Sequence, residues 1–277
     1  MNKHYAKEGY FVFKNKANKE LINKIINEFR SVLIEQLTLN QIRYTEDMNL
    51  QYYMRLLATN NISAYFSCIK VAEAFYSMYE LMVSSDIKMI CESAGFNSIS
   101  MPVRPAFHIV DHVVSELVHK QKGFHELPQH QDWSALQSSI DSLVFWIPTM
   151  DINENVPGIE LAPKTHLLGH LPTKNHQFGH TIDDSFQISD EQFIKPKLNR
   201  GDILAFSSFL VHRSESSLKF SRDASRIALS FRASNVSDIE YASRNYHKSH
   251  KTTVEYNHGQ SLVSPQKIKD KMADYAL

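Results

Sequence analysis

The stretch Leu127-Pro128-Gln129-His130-Gln131-Asp132-Trp133 decides how the rest of this chain folds and what it can bind. In extended backbone, positions two apart project from one face, so His130 and Asp132 can offer an imidazole nitrogen and a carboxylate oxygen to one ion. A second histidine would complete a set of two histidines and one carboxylate on one face of an octahedral metal. Three positions would then stay open for a co-substrate and dioxygen. By itself a His-x-Asp pair is common by chance, and its ordinary reading is a surface histidine beside a solvated aspartate.

The third ligand has to come from elsewhere among 14 histidines. His212 closes the run Gly201-Asp202-Ile203-Leu204-Ala205-Phe206-Ser207-Ser208-Phe209-Leu210-Val211-His212, a strand-turn-strand pattern that can hold a ligand on rigid backbone. Ser214 lies two residues on and faces the same way. Arg226 follows fourteen positions after His212, and its guanidinium can grip a carboxylate through paired hydrogen bonds where a lysine could not. Taken singly, His212 reads equally well as a hydrogen-bonded core histidine, and Arg226 as a salt-bridge partner.

Rival sites are weaker. His166 and His170 have the spacing of a helical zinc pair, but Gly169 and Pro172 oppose a helix there, and no glutamate follows His166. His247, His250 and His258 fall in a polar tail and read as solvated surface. Trp133 and Trp146 read as core or cavity wall. The chain has no glycine-rich phosphate loop, no convincing Ser-His-Asp set and no CxxC.

With 277 residues and 43% hydrophobic content, the chain can bury one large core, and a single elaborated domain is expected. Basic and acidic residues balance at 30 each with no basic run, which argues against nucleic acid or anionic membrane as partner and for a small-molecule substrate. Cys68 and Cys91 both fall in expected helices and read as reduced, buried thiols, hence a reducing, cytoplasmic setting. No apolar stretch reaches the length of a signal sequence or a membrane span.

Tyr10 to Phe13 reads as a strand, and Asn18 as the N-cap of a helix whose stripe is Leu21, Ile22, Ile25, Ile26, Phe29, Val32 and Leu33. Further helices are expected over Leu50–Ala58, Ile62–Met82 and Ile87–Ser93, the last ended by Gly95. Residues 1–100 are thus mostly helical support. From Met101 the pattern becomes short β-like runs: Ala106–Leu117, Leu143–Ile147, Gly158–Ala162, Asp202–His212 and Arg226–Ala233. Along the last of these Ile227, Leu229 and Phe231 would pack under the helices, leaving Arg226, Ala228, Ser230 and Arg232 on the opposite face. The core spans 101–238, the polar loop Leu171–Asn199 is a candidate lid, and 239–277 forms a C-terminal tail.

Together these residues resemble the phytanoyl-CoA dioxygenase-like branch of the Fe(II)/2-oxoglutarate oxygenases. The likeness covers most of the chain: Gly9-Tyr10-Phe11-Val12-Phe13, His130-Gln131-Asp132, a tryptophan-bearing strand at Leu143 to Pro148, the turn Pro163-Lys164-Thr165-His166-Leu167-Leu168-Gly169, then His212-Arg213-Ser214 and Arg226-Ile227-Ala228-Leu229-Ser230. Lys164 stands where the family has glycine, which leaves that turn's geometry open. The gap between His212 and Arg226 is slightly longer than the family's.

The resemblance implies a mainly β fold with flanking helices, a double-stranded β-helix or jelly-roll. It implies Fe(II) on His130, Asp132 and His212, with Gln131, Trp146, Ser214 and Arg226 contacting 2-oxoglutarate. An earlier residue of the co-substrate site stays unplaced, Arg104 and Lys120 being candidates. The implied reaction uses O2 to hydroxylate an unactivated C–H bond of a small metabolite, releasing succinate and CO2. An intact Asp132 argues against halogenation, which needs that coordination position free. A metal-binding protein without turnover and a zinc-dependent hydrolase are the alternatives, and substrate and oligomeric state are not readable.

Overall fold

Alternation along one long strand, β10 (Ser225–Asn235), builds one wall of the space beside the candidate ligands. The computed structural model describes residues 3–120, 126–176, 179–246, 263–273 and 275. Its elements are α1 (Lys3–Glu8), β1 (Tyr10–Phe13), α2 (Lys19–Leu39), α3 (Leu50–Asn60), α4 (Ile62–Ala72), α5 (Tyr76–Met82) and α6 (Ser85–Ser93), followed by β2 (Ile99–Ser100), β3 (Ala106–Asp111), α7 (His112–Lys120), α8 (Trp133–Leu136) and β4 (Leu143–Pro148). Then come β5 (Ile159–Leu161), β6 (Thr173–His176), β7 (Gly179–Ile182), β8 (Ile203–Ser207), β9 (His212–Ser214), β10 (Ser225–Asn235), α9 (Ile239–Ser243) and α10 (Pro265–Ala273).

The larger sheet runs β1-β8-β4-β10-β2, with β3 also on β10, and every pairing is antiparallel. Across from it lies the smaller pair β5-β9, while β6 and β7 form a hairpin. One side of the larger sheet carries the helices. Ile227, Leu229, Phe231 and Ala233 of β10 join Phe145 and Ile147 of β4 and Ile25, Phe29 and Leu33 of α2 in the main core. The other side carries Val144, Trp146, Leu204, Phe206 and Ala228, packed with Ile159 and Leu161 of the smaller sheet. This is the expected jelly-roll, because period-two alternation splits each strand between two layers.

The helical half follows its spacing. Asn18 caps α2 by accepting from the backbone N–H groups of Glu20 and Leu21 at 2.9 and 3.1 Å. The fully buried Ile22, Ile25, Phe29 and Leu33 then contribute about 1.5–3 kcal/mol each by leaving water. Cys68 and Cys91 are buried free thiols in α4 and α6, as expected, and burial pushes them up to about 11 and about 12.

Three details differ from expectation. The helix expected over Ile62–Met82 breaks between α4 and α5, where Phe75 takes extended backbone so that Met78, Leu81 and Met82 face the core. The β run expected over Ala106–Leu117 stops at Asp111, whose Oδ1 accepts from Val114 N at 3.1 Å and starts α7. The stretch expected to be a lid is tied down: Gln129 bonds both backbone groups of Ile188, and Ile194 and Leu198 bridge to Leu161 and Ile152. The tail holds α9 and α10, and its three histidines lie outside the described residues.

The turn at Lys164 keeps the geometry that glycine would give it. Lys164 sits at φ 70°, ψ −11°, in the left-handed region, with its N–H on Glu8 O at 3.0 Å.

Candidate metal centre

Two backbone hydrogen bonds fix the first pair of ligands. His130 and His212 form an isolated antiparallel bridge, each N–H donating to the other's carbonyl at 3.1 Å, so their side chains leave the same face with ring centroids 4.1 Å apart. His130 Nδ1 donates to Pro128 O at 2.7 Å, and His212 Nδ1 donates to Leu210 O at 3.0 Å. A carbonyl can only accept, so both rings are held as Nδ1–H tautomers with the Nε2 lone pair turned inward.

Asp132 arrives by a turn, not by strand alternation. It adopts helical backbone at φ −62°, ψ −29° immediately before α8, so the extended stretch ends at Gln131. Its carboxylate still reaches the pair, with Oδ1 3.8 Å from His130 Nε2 and Oδ2 4.0 Å from His212 Nε2. The three donor atoms lie within 4.8 Å of one another, and all three residues are buried. Two neutral imidazole nitrogens and one carboxylate are a donor set that suits non-haem Fe(II) and leaves coordination positions open, so the residues present fit the implied metal.

Electrostatics keep the set ready to bind. Burial lowers both imidazoles, His212 to about 3 with His130 as the next cause, which disfavours a second proton on either ring and keeps each Nε2 lone pair available. Burial alone would raise the Asp132 carboxyl, but the interactions led by the charge of Arg232 outweigh that and hold it at about 2. Arg232 is the residue the sequence did not single out as functional. Its Nε and Nη2 reach Asp132 Oδ2 at 3.2 and 3.0 Å, and Nη2 also reaches Oδ1 at 3.2 Å.

Beside the triad a cavity is lined by Arg226, Ser214, Trp146, Ser230, Arg232 and His108, with Leu127, Val144, Ile159 and Phe206 as apolar wall. Arg226 is 2% exposed, donates to Pro157 O and Gly158 O at 3.2 Å each, and stands 5.2 Å over the Trp146 ring. Among the described residues no carboxylate lies within ion-pair distance of it, and burial lowers it to about 10. Ser214 Oγ accepts from Leu127 N at 3.1 Å, which leaves its own O–H to donate. Ser230 Oγ, opposite Trp146 in register, is buried with no hydrogen-bond partner among the described residues.

Not every expected contact reaches this cavity. Gln131 points the other way: its amide nitrogen donates to Gly169 O and Phe209 O, and its oxygen accepts from Leu171 N. It braces the ligand turn and is spent there. Arg104 pairs with Glu73 on the surface, and Lys120 is exposed at the end of α7. The early strand instead supplies His108, opposite Ala228 in register, whose imidazole is driven down to about 3 by burial, then Arg232 and Arg226. Reading β3 for alternation would have found it, since Phe107 and Ile109 face the core.

Solved structures with this fold include a non-heme monooxygenase, ThoJ, in its apo form (TM-score 0.55, 13% identity, 98% of each chain covered). They also include the non-heme alpha-ketoglutarate-dependent epimerase SnoN from nogalamycin biosynthesis (TM-score 0.54, 14% identity, 94% of this chain and 92% of that one). EctD from S. alaskensis with 2-oxoglutarate and 5-hydroxyectoine is a third (TM-score 0.50, 11% identity, 85% and 75%). At these identities the likeness is one of fold. Among curated proteins, 1-deoxypentalenic acid 11-beta-hydroxylase of Streptomyces exfoliatus is 30% identical over 95 residues, 31% of this chain and 33% of the relative. The chain thus spans about a third of the length of the curated relatives it matches. The sequence profile of phytanoyl-CoA dioxygenase matches residues 5–224, and with the triad in place the chain belongs to the phytanoyl-CoA dioxygenase family.

Proposed function

We propose that this protein is an Fe(II)/2-oxoglutarate-dependent dioxygenase that hydroxylates an unactivated C–H bond of a small-molecule metabolite. The observation that carries this reading is the pairing of the His130-Asp132-His212 set with a buried guanidinium, Arg226, that lacks a carboxylate partner among the described residues. A buried cation is costly unless paired, and a dicarboxylic keto acid supplies the missing anion beside the metal. Among the described residues, no helix is long and apolar enough to cross a membrane.

His130, Asp132 and His212 would hold the iron. Arg226 would take the far carboxylate of 2-oxoglutarate in its fork while the Ser214 hydroxyl donates to the same group, and Trp146 would wall one side of the carbon chain. When bound, iron and 2-oxoglutarate supply the activation of O2 and the oxidative decarboxylation that drives C–H hydroxylation, with release of succinate and CO2. Leu127, Val144, Ile159 and Phe206 give that space an apolar wall that would limit the water around a bound co-substrate. The space between these side chains is narrow, about 20 Å³, room for about one water.

The carboxylate ligand gives the test. Asp132→Ala is expected to abolish succinate formation from 2-oxoglutarate while the protein stays folded by circular dichroism. An unchanged succinate yield would overturn the reading, and hydrolysis that persists without oxygen would replace it with a metal-dependent hydrolase.

A further inference from the structure

Arg226 and Arg232 leave the same face of β10, Arg226 buried and Arg232 partly so, yet their surroundings are opposite. Arg226 has no carboxylate in reach among the described residues, whereas Arg232 spends two nitrogens on Asp132 and pairs with no other carboxylate among them. The remaining groups that face Asp132 are His130 and His212, whose tautomers present lone pairs and supply no cation. Arg232 is therefore the one positive charge in contact with the metal-binding carboxylate among the described residues.

We infer that Arg232 is a positioning residue that serves as the internal counter-cation of Asp132, holding the carboxylate in place before metal arrives and weakening the metal's grip. This rests on the metal assignment proposed above. A guanidinium on both carboxylate oxygens restricts rotation about the Cβ–Cγ bond, so the ligand set is assembled without an ion. The same positive charge opposes a second cation at the same carboxylate. Coupling between two binding events in a protein is typically about 5- to 150-fold, and the competition of guanidinium and metal for one carboxylate is taken to fall in that range. A salt bridge that merely supported the fold would affect stability and leave metal affinity unchanged.

Arg232→Met removes the charge and keeps most of the volume; Arg232→Lys keeps the charge and loses the fork. Zn(II) binding and thermal unfolding are measured on the full chain for wild type and both variants, with Co(II) absorption reporting coordination. The Met variant is expected to have a lower metal-free Tm, a larger Zn(II)-induced rise in Tm, and Zn(II) affinity at least about fivefold tighter than wild type. The Lys variant should bind Zn(II) close to the wild-type affinity. If the Met variant does not fold without metal, refolding in Zn(II) should recover it. Unchanged or weaker Zn(II) binding by Arg232→Met, equal tightening by both variants, or no recovery with Zn(II) would each overturn the inference. Failure of wild type to bind any metal, or of His212→Ala to lose it, would instead overturn the metal assignment.

Discussion

His130 and His212 sit directly opposite each other in a two-bond backbone bridge, although 82 positions separate them, as 212 − 130 shows. The imidazoles are aimed by backbone and by their own Nδ1 bonds, so the pair is set before any metal binds. His212→Ala should then leave the metal-free Tm nearly unchanged and weaken Mn(II) binding by more than the roughly 10- to 100-fold that loss of an outer partner costs. Calorimetric titration with Mn(II), paired with thermal unfolding, checks both halves.

Arg226 is a buried cation whose protein contacts are two carbonyls and an indole face. Arg226→Met should remove a desolvation cost and raise the Tm of the unliganded protein, at the expense of co-substrate binding. Loss of a buried charge partner costs about 2–5 kcal/mol, so the dissociation constant for 2-oxoglutarate should rise at least about thirtyfold. A Tm increase without weaker 2-oxoglutarate binding would remove Arg226 from the site.

Much of this was legible in the sequence. His212, Ser214 and Arg226, which line one cavity, could be grouped because strands put alternate residues on one face and the candidates stood at strand ends. Arg232 was placed on the correct face, but its partner was not visible: Asp132 lies 100 positions away, on a turn whose path no local pattern encodes. Gln131 was misassigned for a related reason, since the turn into α8 sends its amide toward Gly169 and Phe209. The switch from strand to helix at His112 was hidden because Val113-Val114 satisfies either period until Asp111 caps it.

Two of the motif's backbone positions carry opposite expectations. Gly9 has φ +85°, and a Cβ there would lie 2.5 Å from His166 Nδ1 and 2.8 Å from Leu210 Cδ1. Gly9→Ala should destabilise by about 1–3 kcal/mol through overpacking, beyond its left-handed strain. Lys164 already bears such strain with its side chain largely exposed, so Lys164→Gly should stabilise by about 0.5–1 kcal/mol. Urea unfolding of both variants checks the two signs.

Acid sensitivity follows from buried imidazoles away from the metal. Burial lowers His166 and His170 from 6.5 to about 4 each. Between those values the unfolded chain binds more protons than the folded one, so stability is complete above pH 6.5 and falls as pH drops toward 4. The Tm of metal-free protein should decline through that window, and His166→Gln should make the decline shallower. A flat profile would contradict the assignment.

The metal's position is the most direct test. Crystals grown anaerobically with Mn(II) and N-oxalylglycine, a stable mimic of 2-oxoglutarate, should show one strong anomalous peak bounded by His130 Nε2, the Asp132 carboxylate and His212 Nε2. The mimic's far carboxylate should rest on Arg226. A peak elsewhere, or no peak with Arg226 still bound only to Pro157 and Gly158, would contradict the account.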